Sequence, residues 1–305
     1  MASQLPGAGP LPGLPGAGLS GSGPVVEPLL DGLLSDTLPA LTPSATAGPV
    51  VAAGLTEHRE HKLAWYGDLV GPLRVPASAT AAMVGSLLAA DHNLPIVLIP
   101  DPDAEDLLAR LRAARMLLFD NHRVELVGLE LPFAATHSTA EAARRALDAI
   151  DFSVPAWFRV PAVPGWEPAF DVLAQDGAES VALELPVPGS MDVFTSVAVV
   201  LRSLIDRELP YAVASGVGGL ISTSDGHGLL NLLCATRAAL NGAEPAELAA
   251  ILAESSPDPL ASAARRMSEA DAAIVRAFLP TVSCTSIREL IEDLEREGLI
   301  EPDAA

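Results

Sequence analysis

From Trp65 onward, short apolar runs alternate with single helical stretches, and this alternation constrains the chain more than any other feature. The runs read as strands at Trp65–Val70, Ile96–Ile99, Val124–Leu131, Ala156–Val160, Ser180–Leu185, Tyr211–Ala214 and Thr281–Cys284. Helical spacing falls between them at Ser78–Ala90, Ala104–Phe119, Thr139–Ile150, Glu167–Gln175 and Met191–Glu208. Buried strands separated by one helix each make parallel βαβ units. Pro100, Pro132, Pro161 and Pro186 follow strands and mark sharp exits. After Gly226 three helical segments follow in succession, His227–Leu240, Pro245–Glu254 and Pro259–Leu279. A last strand and an amphipathic helix, Ser286–Gly298, close the chain. Ser286 with Glu289 gives a capping box, and Gly298 a stop. The expected fold class is α/β: a (β/α)8 TIM-barrel-like domain over 57–305, with a helical insertion at about 243–279 before the last strand. An open doubly wound sheet is the alternative, which periodicity does not separate.

Residues 1–56 differ from the rest. They hold nine prolines and ten glycines, with Leu-Pro-Gly starting at residues 5, 11 and 14. Proline lacks a donor and glycine loses much backbone entropy on ordering, so a disordered tail is expected, removable by limited proteolysis. One patch, Pro28 to Leu38, has leucines at 30, 33, 34 and 38. It reads either as a sticky spacer or as a docking motif that folds on a protein partner through residues 1–56. The charged run Glu57 to Lys62 reads as the hinge into the domain.

Composition excludes several classes. The formal net charge of -21 repels nucleic acid and anionic membrane. No run of roughly 18 strongly apolar residues is present to span a bilayer. No basic segment precedes Arg59, and Cys234 and Cys284 lack metal-type spacing, so a reduced, cytoplasmic chain is expected. One lysine, Lys62, stands against 17 arginines and precedes the first clear strand, which argues against Schiff-base chemistry. The scattered histidines make no zinc pattern, so no metal is expected and no cofactor is implied. Asp101-Pro102-Asp103 reads as a helix-start device.

In a parallel barrel the site lies at the C-terminal strand ends. The polar residues expected there are Asp68, Asp101, Glu130, Arg159, Glu184, Ser215, Ser283 and Cys284. Glu130-Leu131-Pro132 and Glu184-Leu185-Pro186 are equivalent triplets, and their carboxylates suit an acid and a base. Arg159 between them suits equally an ion-pair layer. Ser215, Gly216, Gly218 and Gly219 end an apolar strand where backbone can approach a ligand, and Arg159 and Cys284 join them as ligand-binding candidates. His227, Asn231 and Cys234 share a face of an otherwise apolar helix. His227 and Asn231 are catalytic candidates there, or satisfied core groups positioning the preceding loop. On either reading one of them is expected to hydrogen-bond loop 215–226 or a neighbouring strand end.

The segment 210–233 resembles an uncharacterised bacterial family of barrel-like proteins. Its members read roughly Pro-Phe-Lys-Ala-Thr-Ala-Gly-Leu-His-His, then His-Gly-Phe-Leu-Asn. This chain carries His227-Gly228-Leu229-Leu230-Asn231, Ser283-Cys284-Thr285-Ser286, Gly67 to Leu73, and the ending Asp293-Leu294 to Gly298-Leu299. Ala212 stands at the family's lysine, and Gly218 and Gly219 at its paired histidines. The resemblance implies a related fold; if that lysine and those histidines act chemically in the family, this chain has lost them. The expected function is therefore a divergent, catalytically inactive barrel that acts by binding. The alternative is acid/base chemistry on a small phosphorylated or carboxylated metabolite, using Glu130, Glu184, His227 and Asn231.

Overall fold

The computed structural model describes residues 26–41, 47–101, 106–119, 121–132, 138–148, 154–175 and 180–301. The first half of the chain alternates α1 (Glu27–Leu30), β1 (Leu34–Ser35), α2 (Ala47–Leu63), β2 (Leu73–Pro76), α3 (Thr80–Ser86), β3 (Leu94–Ile99), α4 (Leu107–Leu118), β4 (Val124–Pro132) and α5 (Thr139–Asp148). The second half continues with β5 (Ala156–Pro161), α6 (Glu167–Gln175), β6 (Ser180–Glu184), α7 (Met191–Asp206), β7 (Tyr211–Gly219), the two-residue β8 (His227–Gly228) and α8 (Leu229–Leu240). Then come α9 (Pro245–Ala253), α10 (Pro257–Arg265), α11 (Glu269–Phe278), β9 (Val282–Cys284) and α12 (Ile287–Arg296).

The strands lie in the order β1-β9-β7-β6-β5-β4-β3-β2, all neighbours parallel, with β8 beside β7 off this path. Two bridges, Leu34 to Val70 and Thr37 to Arg74, join the two ends of that path. Backbone bonds reinforce the seam: Gly71 N–H donates to the Leu34 carbonyl at 2.6 Å and Arg74 N–H to that of Asp36 at 2.8 Å. The result is a nearly closed (β/α)8 barrel, and the open sheet is set aside. Helices α9 to α11 form the expected insertion. Its last segment is two helices, because Ser268 caps a new one by accepting from Asp271 N–H.

The seam revises the expected tail. Its residues 1–25 and 42–46 lie outside the described residues, but residues 26–41 and α2 belong to the barrel. Leu29, Leu30, Leu33 and Leu34 are fully buried. The leucine spacing mimicked a helix, yet only one turn is helical; Gly32, at φ +60°, turns the chain into β1. A two-residue strand is too short to display a period of two. The expected docking patch is thus part of the barrel, holding the end of α1, the turn at Gly32 and β1. The boundary at 56 falls inside α2, whose Val51 and Leu55 are buried against Leu73, Met83 and Ile96. The expected hinge, Glu57 to Lys62, is the last part of that helix.

A second correction concerns the first expected strand. Trp65–Val70 is a turn and a 3-10 segment, Gly67–Leu69. Gly67 N–H closes on the Ala64 carbonyl, and Lys62 Nζ donates to the carbonyls of Gly67 and Val70, both at 3.0 Å. These local bonds compete with strand pairing. The strand lies later, at Leu73–Pro76, so Asp68 precedes it and is not at a strand top.

Strand alternation sorts side chains into two layers. Phe158, Val160, Val181, Leu183, Tyr211 and Val213 face the helices and share the large core. Val97, Ile99, Trp157, Ala182, Ala212 and Ala214 form a separate cluster inside the barrel. Small alanines beside the Trp157 indole keep this interior filled, as packing density requires. They also leave room for the long side chain of Arg74, which is 1% exposed.

Candidate functional site

Arg74 follows from the pleat of β2. Leu73 and Val75 point to the helices, so Arg74 between them points into the barrel. Its Nη1 lies 2.6 Å from Glu130 Oε1, and Glu130 is fully buried on β4. The contact lacks hydrogen-bond alignment: Arg74 Nε and Nη1 and both Glu130 oxygens have no hydrogen-bond partner. Arg159 on β5 continues the chain of charges. Its Nη1 stands 3.7 Å from Glu130 Oε2, and its Nε donates to Glu184 Oε1 on β6 at 2.5 Å. The order Arg74–Glu130–Arg159–Glu184 alternates in sign across four strands.

Above this network, at the C-terminal strand ends, lies a pocket of about 400 Å³. Arg74 and Arg159 line it, together with Thr37, Ser215, Gly216, Ser283, Cys284 and Thr285. Ser35 and Thr281 are hydroxyl partners at 2.6 Å, and Thr37 and Ser283 at 3.0 Å, which ties β1 to β9 beneath and beside the opening. Gly216 is required by its backbone: φ is +97°, and a Cβ there would stand 2.5 Å from the Leu185 carbonyl. Burial pushes the Cys284 thiol up to about 12, so it is not a thiolate nucleophile near neutral pH.

The expected candidates therefore divide. Glu130, Arg159 and Glu184 come together, and Ser215, Gly216 and Cys284 line the opening. Neither Glu130 nor Glu184 lines the pocket; both sit against arginines, the arrangement of an ion-pair layer. Gly218 and Gly219 do not line it either. They lie in the last part of β7, which was expected to end at Ala214 but runs on to Gly219 by pairing with β8. Gly218 packs against Gly226, where a Cβ would come within 3.0 Å.

His227 and Asn231 also lie outside the pocket. His227 is fully buried, and its Nε2 donates to the Pro186 carbonyl at 3.0 Å, which places the proton on Nε2. Burial lowers its pKa below the usual histidine value, against the smaller raising effect of that bond. Asn231 Oδ1 accepts from Ser222 N–H at 2.9 Å, as expected for a group bonded to loop 215–226. Its Nδ2 donates to the carbonyls of Ile251 and Glu254, both at 2.8 Å. Both lie at the end of α9, where carbonyls lack a following helical turn; that of Ile251 also accepts from Glu254 N–H at 3.3 Å. One amide thus joins the loop after β7 to the inserted helices. The close fit extends to Gly228, where a Cβ would fall 2.1 Å from Asn231 Oδ1.

Asp101 is a capping group. Its oxygens accept from Ser78 N–H at 3.0 and 3.1 Å, at the start of the 3-10 turn before α3. Pro102 and Asp103 lie outside the described residues. Among the described residues no group of three metal-ligating side chains converges. No helix among them is long and apolar enough to cross a membrane.

Arg74 is the site residue that sequence reasoning missed. The available signal was a charge between two apolar residues just before a proline, Leu73-Arg74-Val75-Pro76. Placing the first strand at Trp65–Val70 hid it. Compared with known proteins, the chain matches no family model and no curated sequence.

Proposed function

We propose that this barrel binds a small molecule at its C-terminal mouth and acts by binding, without acid/base turnover. The carrying observation is that Arg159 stands between Glu130 and Glu184, while the described lining holds no carboxylate, histidine or low-pKa thiol. Acid/base chemistry needs a titratable group within hydrogen-bond reach of the bound molecule. Here the carboxylates serve the arginines.

Kinship with the resembling family is part of the same proposal. Ala212 is fully buried in the interior cluster, opposite Ala182. A lysine at this position in a relative would point into the barrel below the mouth. Alanine there removes an amine able to act as a nucleophile or base, which supports a scaffold kept and a reaction lost.

The test is a thermal-shift screen of small metabolites, neutral and anionic, on the wild type and on Ser215→Trp, whose indole would fill the mouth. The expected outcome is a saturable rise in melting temperature in the wild type that Ser215→Trp abolishes. The stabilising compound should be recovered chemically unchanged after prolonged incubation. Turnover of that compound would overturn the non-catalytic reading, and a response that survives Ser215→Trp would move the site elsewhere.

A further inference from the structure

Resting on the reading of the mouth as a ligand site, we propose that its ligand carries an anionic head, a carboxylate or a phosphate, which docks on Arg74 and Arg159. Both charged side chains that line the pocket are arginines. The carboxylates that balance them do not line it: Glu130 is fully buried, and Glu184 is held by Arg159 Nε. The charge on the pocket wall is therefore that of guanidinium groups, Arg159 partly exposed and Arg74 buried behind it.

Arg74 makes the argument specific. It is 1% exposed, lines the pocket, and has Nε and Nη1 without hydrogen-bond partners. A guanidinium presents five N–H donors in a planar fork that matches carboxylate and phosphate oxygens. Buried donors without acceptors are costly, and native structures rarely leave them so. Glu130 supplies charge at 2.6 Å but not alignment. An anionic head arriving from above supplies the missing acceptors. The Ser215 and Ser283 hydroxyls, which line the same wall, can add donors to it. The four side chains of the network sum to zero charge, so a carboxylate head leaves the cluster with one excess negative charge and a phosphate with up to about two. The net charge of -21 opposes any anion at long range, so affinity must arise from these short contacts.

The experiment titrates the full chain with sodium acetate and with inorganic phosphate, against sodium chloride at matched ionic strength. Melting temperature and calorimetry are the readouts. The expected result is saturable binding of acetate, phosphate or both beyond the chloride control. Arg159→Gln should weaken it about tenfold, the loss typical of one charge-assisted contact. Arg74→Met alone strands Glu130, so the informative variant is Arg74→Met with Glu130→Gln, which replaces the buried pair with neutral side chains and is expected to fold. It should lose the response entirely. Stronger binding of acetate assigns a carboxylate head, and stronger binding of phosphate a phosphate monoester. Responses to both anions no larger than to chloride, or retained by the folded double variant, would overturn the inference. A neutral molecule that stabilises the wild type and is blocked by Ser215→Trp would leave the binding proposal standing while the anionic head falls.

Discussion

Asn231 and His227 do structural work that their polarity disguises. Asn231 answers one loop donor and two helix-end acceptors with one side chain. Replacing it with leucine takes this partner from the buried Ser222 N–H and from the part-buried Glu254 carbonyl, at up to about 1–3 kcal/mol each, while the Ile251 carbonyl keeps its bond from Glu254 N–H. Asn231→Leu should therefore lower the melting temperature by several degrees. Asn231→Asp should do so as well, since it keeps the acceptor for Ser222 but loses the amide donors. A wild-type melt for both would place the residue outside the clamp. His227 carries a pH dependence whose sign follows from its lowered pKa. The unfolded chain takes up a proton near the ordinary value of 6.5, while the folded chain resists it until lower pH. The unfolded state then binds more protons, so stability is full above about 6.5 and declines as pH falls below it. His227→Gln keeps a donor for the Pro186 carbonyl and removes the titration. The difference in melting temperature between wild type and variant should therefore change across pH 7 to 5; a constant difference would show that His227 is not the group involved.

At the scale of elements, β1 matters most for its length. Its pairs Leu34–Val282 and Ser35–Ser283, with the bridges to Val70 and Arg74, join β9 to β2. A chain starting at residue 57 lacks this strand and part of α2. It also loses five fully buried leucines, Leu29, Leu30, Leu33, Leu34 and Leu55, each contributing about 1.5–3 kcal/mol. Such a truncation should yield an expanded or insoluble product without a cooperative melt, whereas a chain starting at Val26 loses none of the described contacts and should melt cooperatively. Circular dichroism of the two truncations decides it, and a cooperative fold from residue 57 onward would remove β1 from the essential barrel. The middle strands were legible because they are longer and end at proline. Ala156–Pro161 and Ser180–Glu184 differ from expectation by one residue at an end. Helix α6 lies where its apolar spacing places it. β1 and β2 were not legible. A two-residue strand has no period, and the backbone turn at Gly67 overrode the strand-like composition of Trp65–Val70.

For the whole molecule, the alternation of short strands and single helices was enough to specify a parallel α/β architecture, since parallel strands need a crossover between them. The same pattern put Glu130, Arg159, Glu184, Ser215 and Cys284 at strand tops, where a barrel places its site. Those are local properties, carried by residues near one another in the chain. Three things depended on closure. Whether the sheet curls into a barrel was settled by β1 meeting β9 and β2, contacts between residues as far apart as Leu34 and Val282. Which polar groups share the mouth was settled by register: the same periodicity allowed His227 and Asn231 a catalytic role, and tertiary contacts turned them toward Pro186, Ser222 and α9 instead. Arg74 became a charge lining the mouth only once β2 began at Leu73, because a strand's register decides which alternate side chains face inward. Periodicity within a segment is written in the sequence, while the partner that each face meets is set by long-range packing among segments that no local pattern encodes.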